Sequence, residues 1–155
     1  MSPIKTIALV SAMGIALSVA AFNGGEAKAA NKPKTPVTMT PEQMKWVPNA
    51  SAPGVWTAVA WGDPDKGPHG AFHKFNPGFA APLHTHTANT RIVVLSGTMV
   101  MVSADGKEMK FPAGSYYEQP NTYKHATKCE AGSECLVYLT ADAKWDMKPV
   151  ETSKK

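Results

Sequence analysis

The chain has 155 residues, 18% of them charged, with 16 Lys and Arg against 12 Asp and Glu and a net charge of +4 at neutral pH. That length holds one ordinary domain, and the small positive excess serves solubility. The basic residues are scattered, with no basic stripe interleaved with aromatics, so no nucleic-acid partner is expected.

In chain order the first element reads as an export signal over residues 1–29. Lys5 supplies a positive start, Ile7 to Phe22 is apolar apart from Ser11 and Ser18, and Ala27-Lys28-Ala29 places small residues at −3 and −1. This is the order of a secretory signal peptide cut after Ala29, and the apolar stretch is too short and too poorly flanked for a stable membrane span. An exported protein, periplasmic or secreted, is therefore expected. No Cys follows the apolar stretch to carry a lipid, and no later apolar run nears 18 residues, so the mature chain is expected to have no membrane span.

Residues 30–54 carry five prolines and little periodicity. They read as an N-terminal arm or linker, with one helical turn at Pro41-Glu42-Gln43-Met44 and with Met44 and Trp46 available to pack on the barrel. From Val55 the pattern changes to short runs of β-branched and aromatic residues divided by Gly, Pro, Asn and Asp. Strands are predicted at 55–61, 70–76, 83–86, 90–95, 98–103, 108–111, 115–119, 123–128 and 135–140, with Asp105-Gly106 as a turn. Nothing reads as a long amphipathic helix. Short strands at 8–12-residue spacing predict an all-β sandwich or barrel over residues 55–148, without internal repeat.

Two cysteines, Cys129 and Cys135, flank a five-residue segment. Export would favour a disulfide between them, while two buried free thiols remain the alternative. Met99 and Met101 share a strand face, which leaves copper ligation and ordinary core filling both open.

The five histidines are His69, His73, His84, His86 and His125. His84 and His86 flank Thr85, and positions i and i+2 of a strand point to one face, so both imidazoles can converge on one point. Imidazole is the commonest protein ligand for transition metals, and His125 on a later strand is the candidate third ligand. On the strand before, His73 shares a parity with Phe75. If Phe75 fills the interior, His73 approaches the metal end as a ligand-contacting group; a hydrogen-bonded histidine at the rim is the other reading. Tyr116 and Glu118 share one face and Tyr117 and Gln119 the other, and the sequence leaves open which pair lines the cavity.

At these residues the sequence resembles the cupin superfamily. Gly78, five residues, His84-Thr85-His86, three residues, Thr90, then six residues to Gly97 follow that family's first motif, with Thr90 where Glu is usual. Gly114, Pro120 and His125 follow the second, with Thr122 in a glycine position. The resemblance implies a single-domain jelly-roll β-barrel that holds one divalent transition metal (Fe, Zn, Mn, Ni or Cu) on His84, His86 and His125. Threonine supplies no charge to a divalent ion. The expected site is therefore an open three-His face, unless Glu118 supplies a replacement carboxylate or the pocket has turned to another purpose. The likeness is to small, largely uncharacterised cupins, similar in turn to the cupins of zinc anti-sigma factors and to three-His dioxygenases that cleave diketones. It implies either a dioxygenase-like enzyme acting on a small oxygen-bearing molecule or a non-catalytic metal carrier or small-ligand sensor. Cupins often dimerise, so a homodimer stays open, although nothing in this chain specifies an interface.

Overall fold

The computed structural model describes residues 35–151; the expected signal peptide, residues 1–29, lies outside the described residues. Eleven strands and one 3₁₀ turn make up the regular structure there. One antiparallel sheet runs β1 (Val47–Pro48), β2 (Val55–Gly62), β3 (His69–Phe75), β10 (Cys135–Ala141), β5 (Thr90–Ser96), β8 (Tyr116–Gln119) in spatial order. The other runs β11 (Lys148–Pro149), β4 (Ala80–Thr85), β9 (His125–Cys129), β6 (Thr98–Ser103), β7 (Glu108–Pro112). From β3 onward the chain alternates between the sheets except at the β6–β7 hairpin, the jelly-roll arrangement the resemblance implied. None of the described helical residues forms a helix long and apolar enough to cross a membrane.

Alternation decides which face is inside. In β5, Thr90, Ile92 and Val94 are buried while Arg91, Val93 and Leu95 are exposed. In β10, Cys135, Val137, Leu139 and Ala141 are buried in the same rhythm. Ile92, Val94 and the buried β10 residues meet Met99 and Cys129 from the facing sheet to make the core. Burying such side chains is worth roughly 1.5–3 kcal/mol each for the larger aliphatics, which is why strand period fixes the register.

The arm does more than lie on the barrel. Val47 and Pro48 pair with Thr57 and Trp56, extending the first sheet by one short edge strand, and Lys74 Nζ lies 4.6 Å from the Trp46 ring centroid. Pro48 suits an edge, where a missing N–H breaks no ladder. The helical turn is a 3₁₀ turn, Pro41–Gln43, with the Gln43 side chain accepting from Thr40 N at 2.8 Å. At the other end β11, unanticipated from the sequence, pairs with Thr85 and His84.

Cys129 and Cys135 form a disulfide across the β9–β10 turn, with Cα atoms 5.8 Å apart. Beside it Gly97 has φ 73°. A Cβ on Gly97 would stand 2.7 Å from the Glu134 carbonyl and 2.8 Å from Cys135 Sγ, so only glycine fits.

Candidate metal centre

β4 and β9 are neighbours, and their register sets His84 directly opposite His125. His86 lies just past the end of β4, so the predicted strand 83–86 ends one residue early. One ring nitrogen from each of His84, His86 and His125 lies within 4.8 Å of the other two, and all three residues are buried. A bridge holds the two motifs together: Thr122 N donates to the His86 carbonyl at 2.9 Å. Thr122, in the second motif's glycine position, has φ 62°. The backbone there is left-handed as a glycine's would be, and a β-branched residue holds it under strain.

Each imidazole has its tautomer set by a backbone carbonyl. His84 Nδ1 lies 2.7 Å from the Pro82 carbonyl, His125 Nδ1 3.0 Å from that of Tyr123, and His86 Nδ1 bonds that of Asp146. A carbonyl only accepts, so each Nδ1 carries the proton and each Nε2 keeps its lone pair. Burial lowers the pKa of all three rings, that of His125 to about 4. The rings are therefore neutral at physiological pH, the form that ligates metal. Three buried, neutral, convergent imidazoles with outer-shell carbonyls fit a divalent transition ion.

The rings open onto a cavity of about 290 Å³ between the sheets. Val55, Phe75, Phe79, Ile92, Met99, Tyr117, Leu139 and Trp145 give it apolar walls, and Asn49, Ser51 and Ala52 from the β1–β2 turn reach it as well. His73 also lines it: its Nδ1 is 3.3 Å from Thr57 Oγ1, and its Nε2 is the one buried side-chain nitrogen or oxygen among the described residues without a partner. Burial pushes the His73 pKa down to about 4, so it too is neutral.

The two faces of β8 are now assigned. Tyr117 and Gln119 line the cavity. Tyr116 and Glu118 face outward, where the Glu118 carboxylate accepts from Arg91 Nε at 3.0 Å and from the Tyr116 hydroxyl. Glu118 therefore supplies no replacement ligand, because strand parity turns it away from the imidazoles. Thr90 is buried and donates to Gln119 Oε1 at 3.3 Å, while Gln119 Nε2 lies 3.2 Å from Met101 Sδ. Met99 sits in the core cluster and also touches the cavity.

The residues after β10 went unread in the sequence. Trp145 packs on His86 with ring centroids 4.5 Å apart and on His73 at 5.5 Å. Asp146 and Met147 join it at the cavity wall. Nothing periodic marks this segment; the only signal was an aromatic and an acid beyond the last strand.

The sequence pattern of a domain family described as a domain of unknown function (DUF4437) matches residues 20–155. The chain belongs to that family. None of the curated proteins compared with this DUF4437 chain matches it. Among solved structures it resembles the polyketide cyclase RemF from Streptomyces resistomycificus, with TM-score 0.63 and 20% identity over 76% of this chain and 87% of that one. An RmlC-like cupin from Shewanella frigidimarina gives TM-score 0.55 and 17% identity over 70% and 93%. The complex of Rhodobacter sphaeroides SigE with the anti-sigma ChrR gives 0.53 and 21% over 66% and 51%. These likenesses establish the fold: this DUF4437 protein has the cupin fold.

Proposed function

We propose that this DUF4437 protein is exported and holds one divalent transition ion on His84, His86 and His125, where it binds and transforms a small oxygen-bearing molecule. The observation that carries the reading is the shared tautomer: three Nδ1–H groups tied to carbonyls, leaving three Nε2 lone pairs facing one point. A bound ion would supply Lewis acidity and open coordination positions for an oxygen-bearing ligand, because no carboxylate among the described residues completes the shell. The protein's own part is positional. Phe75, Phe79, Tyr117 and Trp145 exclude water and hold an apolar body, while His73 and Gln119 offer polar contacts at the wall. Export is supported by the reading of residues 1–29 and by the Cys129–Cys135 disulfide, which suits an oxidising compartment.

Dioxygenase-like turnover is the enzymatic form of this reading. A non-catalytic carrier or sensor is favoured by one observation. Among the described residues the only carboxylate lining the cavity, Asp146, is engaged by Thr87 N at 2.7 Å and Thr87 Oγ1 at 2.6 Å, which leaves no free carboxylate there to serve as a base.

Elemental analysis of protein recovered from its exported compartment tests the metal, and His84→Ala tests its seat. One ion per chain is expected in the wild type, and His84→Ala should lose more affinity than the ~10–100-fold that goes with an outer-shell partner. Equal metal content in both proteins would refute the site. Oxygen uptake or product formation with dicarbonyl or phenolic compounds separates enzyme from carrier.

A further inference from the structure

The three imidazoles are not oriented in the same way. His84 and His125 each donate to the carbonyl two residues earlier in their own strand region, Pro82 and Tyr123, so local chain geometry suffices. His86 donates to the Asp146 carbonyl, sixty residues downstream. Its tautomer and ring direction depend on a remote segment being in place.

That segment, residues 142–150, is held by a small set of bonds. The Asp146 carboxylate accepts from Thr87 N and Thr87 Oγ1, with Lys148 Nζ 3.4 Å from Oδ2 and 2.7 Å from Thr87 Oγ1. Trp145 N donates to the Pro64 carbonyl at 2.7 Å, and its ring covers His86. Lys148 and Pro149 pair with Thr85 and His84, and Val150 N donates to Leu83. The side-chain bonds among Thr87, Asp146 and Lys148 lie at the surface, and exposed hydrogen bonds and ion pairs are worth little individually. Few bonds anchor the segment, as in regions that open locally, yet it orients the third ligand.

We propose that residues 142–150 form a latch that couples metal affinity to its own docking, with Asp146 as the positioning residue. The proposal rests on the metal reading above. With the latch docked, His86 presents Nε2 beside His84 and His125. With it released, His86 loses both its carbonyl partner and the Trp145 ring, and the site falls to two oriented ligands. Loss of an outer-shell partner costs about 10–100-fold in metal affinity. Coupling between two binding events is reciprocal, so metal must favour latch docking by the same factor.

Two measurements on the full chain test this. Zn²⁺ affinity, read by competition with a chromophoric chelator, is compared between wild type and Asp146→Ala, with Asp146→Asn expected to recover part of the loss. Tryptic cleavage of the wild type after Lys144, an exposed residue at the latch's start, is followed with and without Zn²⁺. The expected results are a ~10–100-fold weaker affinity in Asp146→Ala and slowing of Lys144 cleavage by a similar factor when metal is bound. Unchanged affinity in a folded Asp146→Ala protein overturns the latch, as does cleavage indifferent to metal. Should Asp146→Ala not fold, the wild-type cleavage decides. A wild type that binds no Zn²⁺ or other divalent ion removes the metal reading itself, a different failure.

Discussion

β9 joins two unlike ends of the same barrel. It starts at His125, among the three convergent imidazoles, and ends at Cys129, in a disulfide. Each end contains a residue in left-handed backbone, and the two are handled differently. At the disulfide end, a Cβ on Gly97 would lie within 3 Å of the Glu134 carbonyl and of Cys135. At the histidine end, exposed Thr122 carries a β-branched side chain through the same conformation while its N–H holds the His86 carbonyl. Close packing at Gly97 leaves no room for a strained side chain. At the other end, the geometry needed around the imidazoles keeps strain in place, as functional sites often do.

Gly97→Ala breaks the disulfide end alone and gives the largest effect. The added Cβ would lie 2.7 Å from the Glu134 carbonyl and 2.9 Å from Cys135 Cα, in a conformation an L side chain resists. Overpacking and left-handed strain together predict a loss of about 4 kcal/mol by denaturant unfolding, with metal affinity unchanged. A loss below about 1 kcal/mol would mean that this end yields as readily as the other, and the contrast would fail.

The next effect sits between the ends, at His73. Burial, aided by the neighbouring His69 and His86, holds its pKa near 4 in the fold, against an ordinary 6.5. Above pH 6.5 both folded and unfolded states leave it neutral, so its contribution is fully retained there. As pH falls from 6.5 towards 4 only the unfolded chain takes up a proton, and stability drops by about 3 kcal/mol across that window. In metal-free protein, His73→Phe should remove that share of the acid sensitivity while His84, His86 and His125 keep theirs. Parallel pH profiles for the two proteins would show that His73 titrates normally.

Much of this division was legible in the sequence, and the reason is periodic. Strand parity put His84 with His86 and Tyr117 with Gln119. The joint spacing of Gly78, His84, His86, Gly97, Gly114, Pro120 and His125 carried the resemblance that implied the barrel. Parity could not say which face of β8 turned inward, because Tyr116 and Glu118 are as plausible a lining pair as Tyr117 and Gln119. That choice is made by the register of β8 on β5, where Gln119 sits opposite Thr90. The disulfide likewise depended on the turn that places Cys129 and Cys135 across from each other. The latch was illegible for a deeper reason. His86 and Asp146 are joined by one hydrogen bond between a ring and a backbone carbonyl, and a carbonyl has no residue identity. Only the fold reveals it.

The smallest prediction sharpens the contrast at the histidine end. Thr122 departs from the motif's glycine, and its φ of 62° carries a cost that glycine would not. Removing the side chain relieves about 1–2 kcal/mol of left-handed strain, against about 0.5–1 kcal/mol of extra unfolded-chain entropy. Thr122→Gly should therefore stabilise the protein slightly, by roughly 0.5–1 kcal/mol in denaturant unfolding. Its N–H is retained, so the bond to His86 persists and metal affinity should not change. If the variant is instead less stable, the Thr122 side chain contributes contacts that outweigh its strain. The histidine end would then be as relaxed as the disulfide end, and left-handed backbone alone would not mark where function sits.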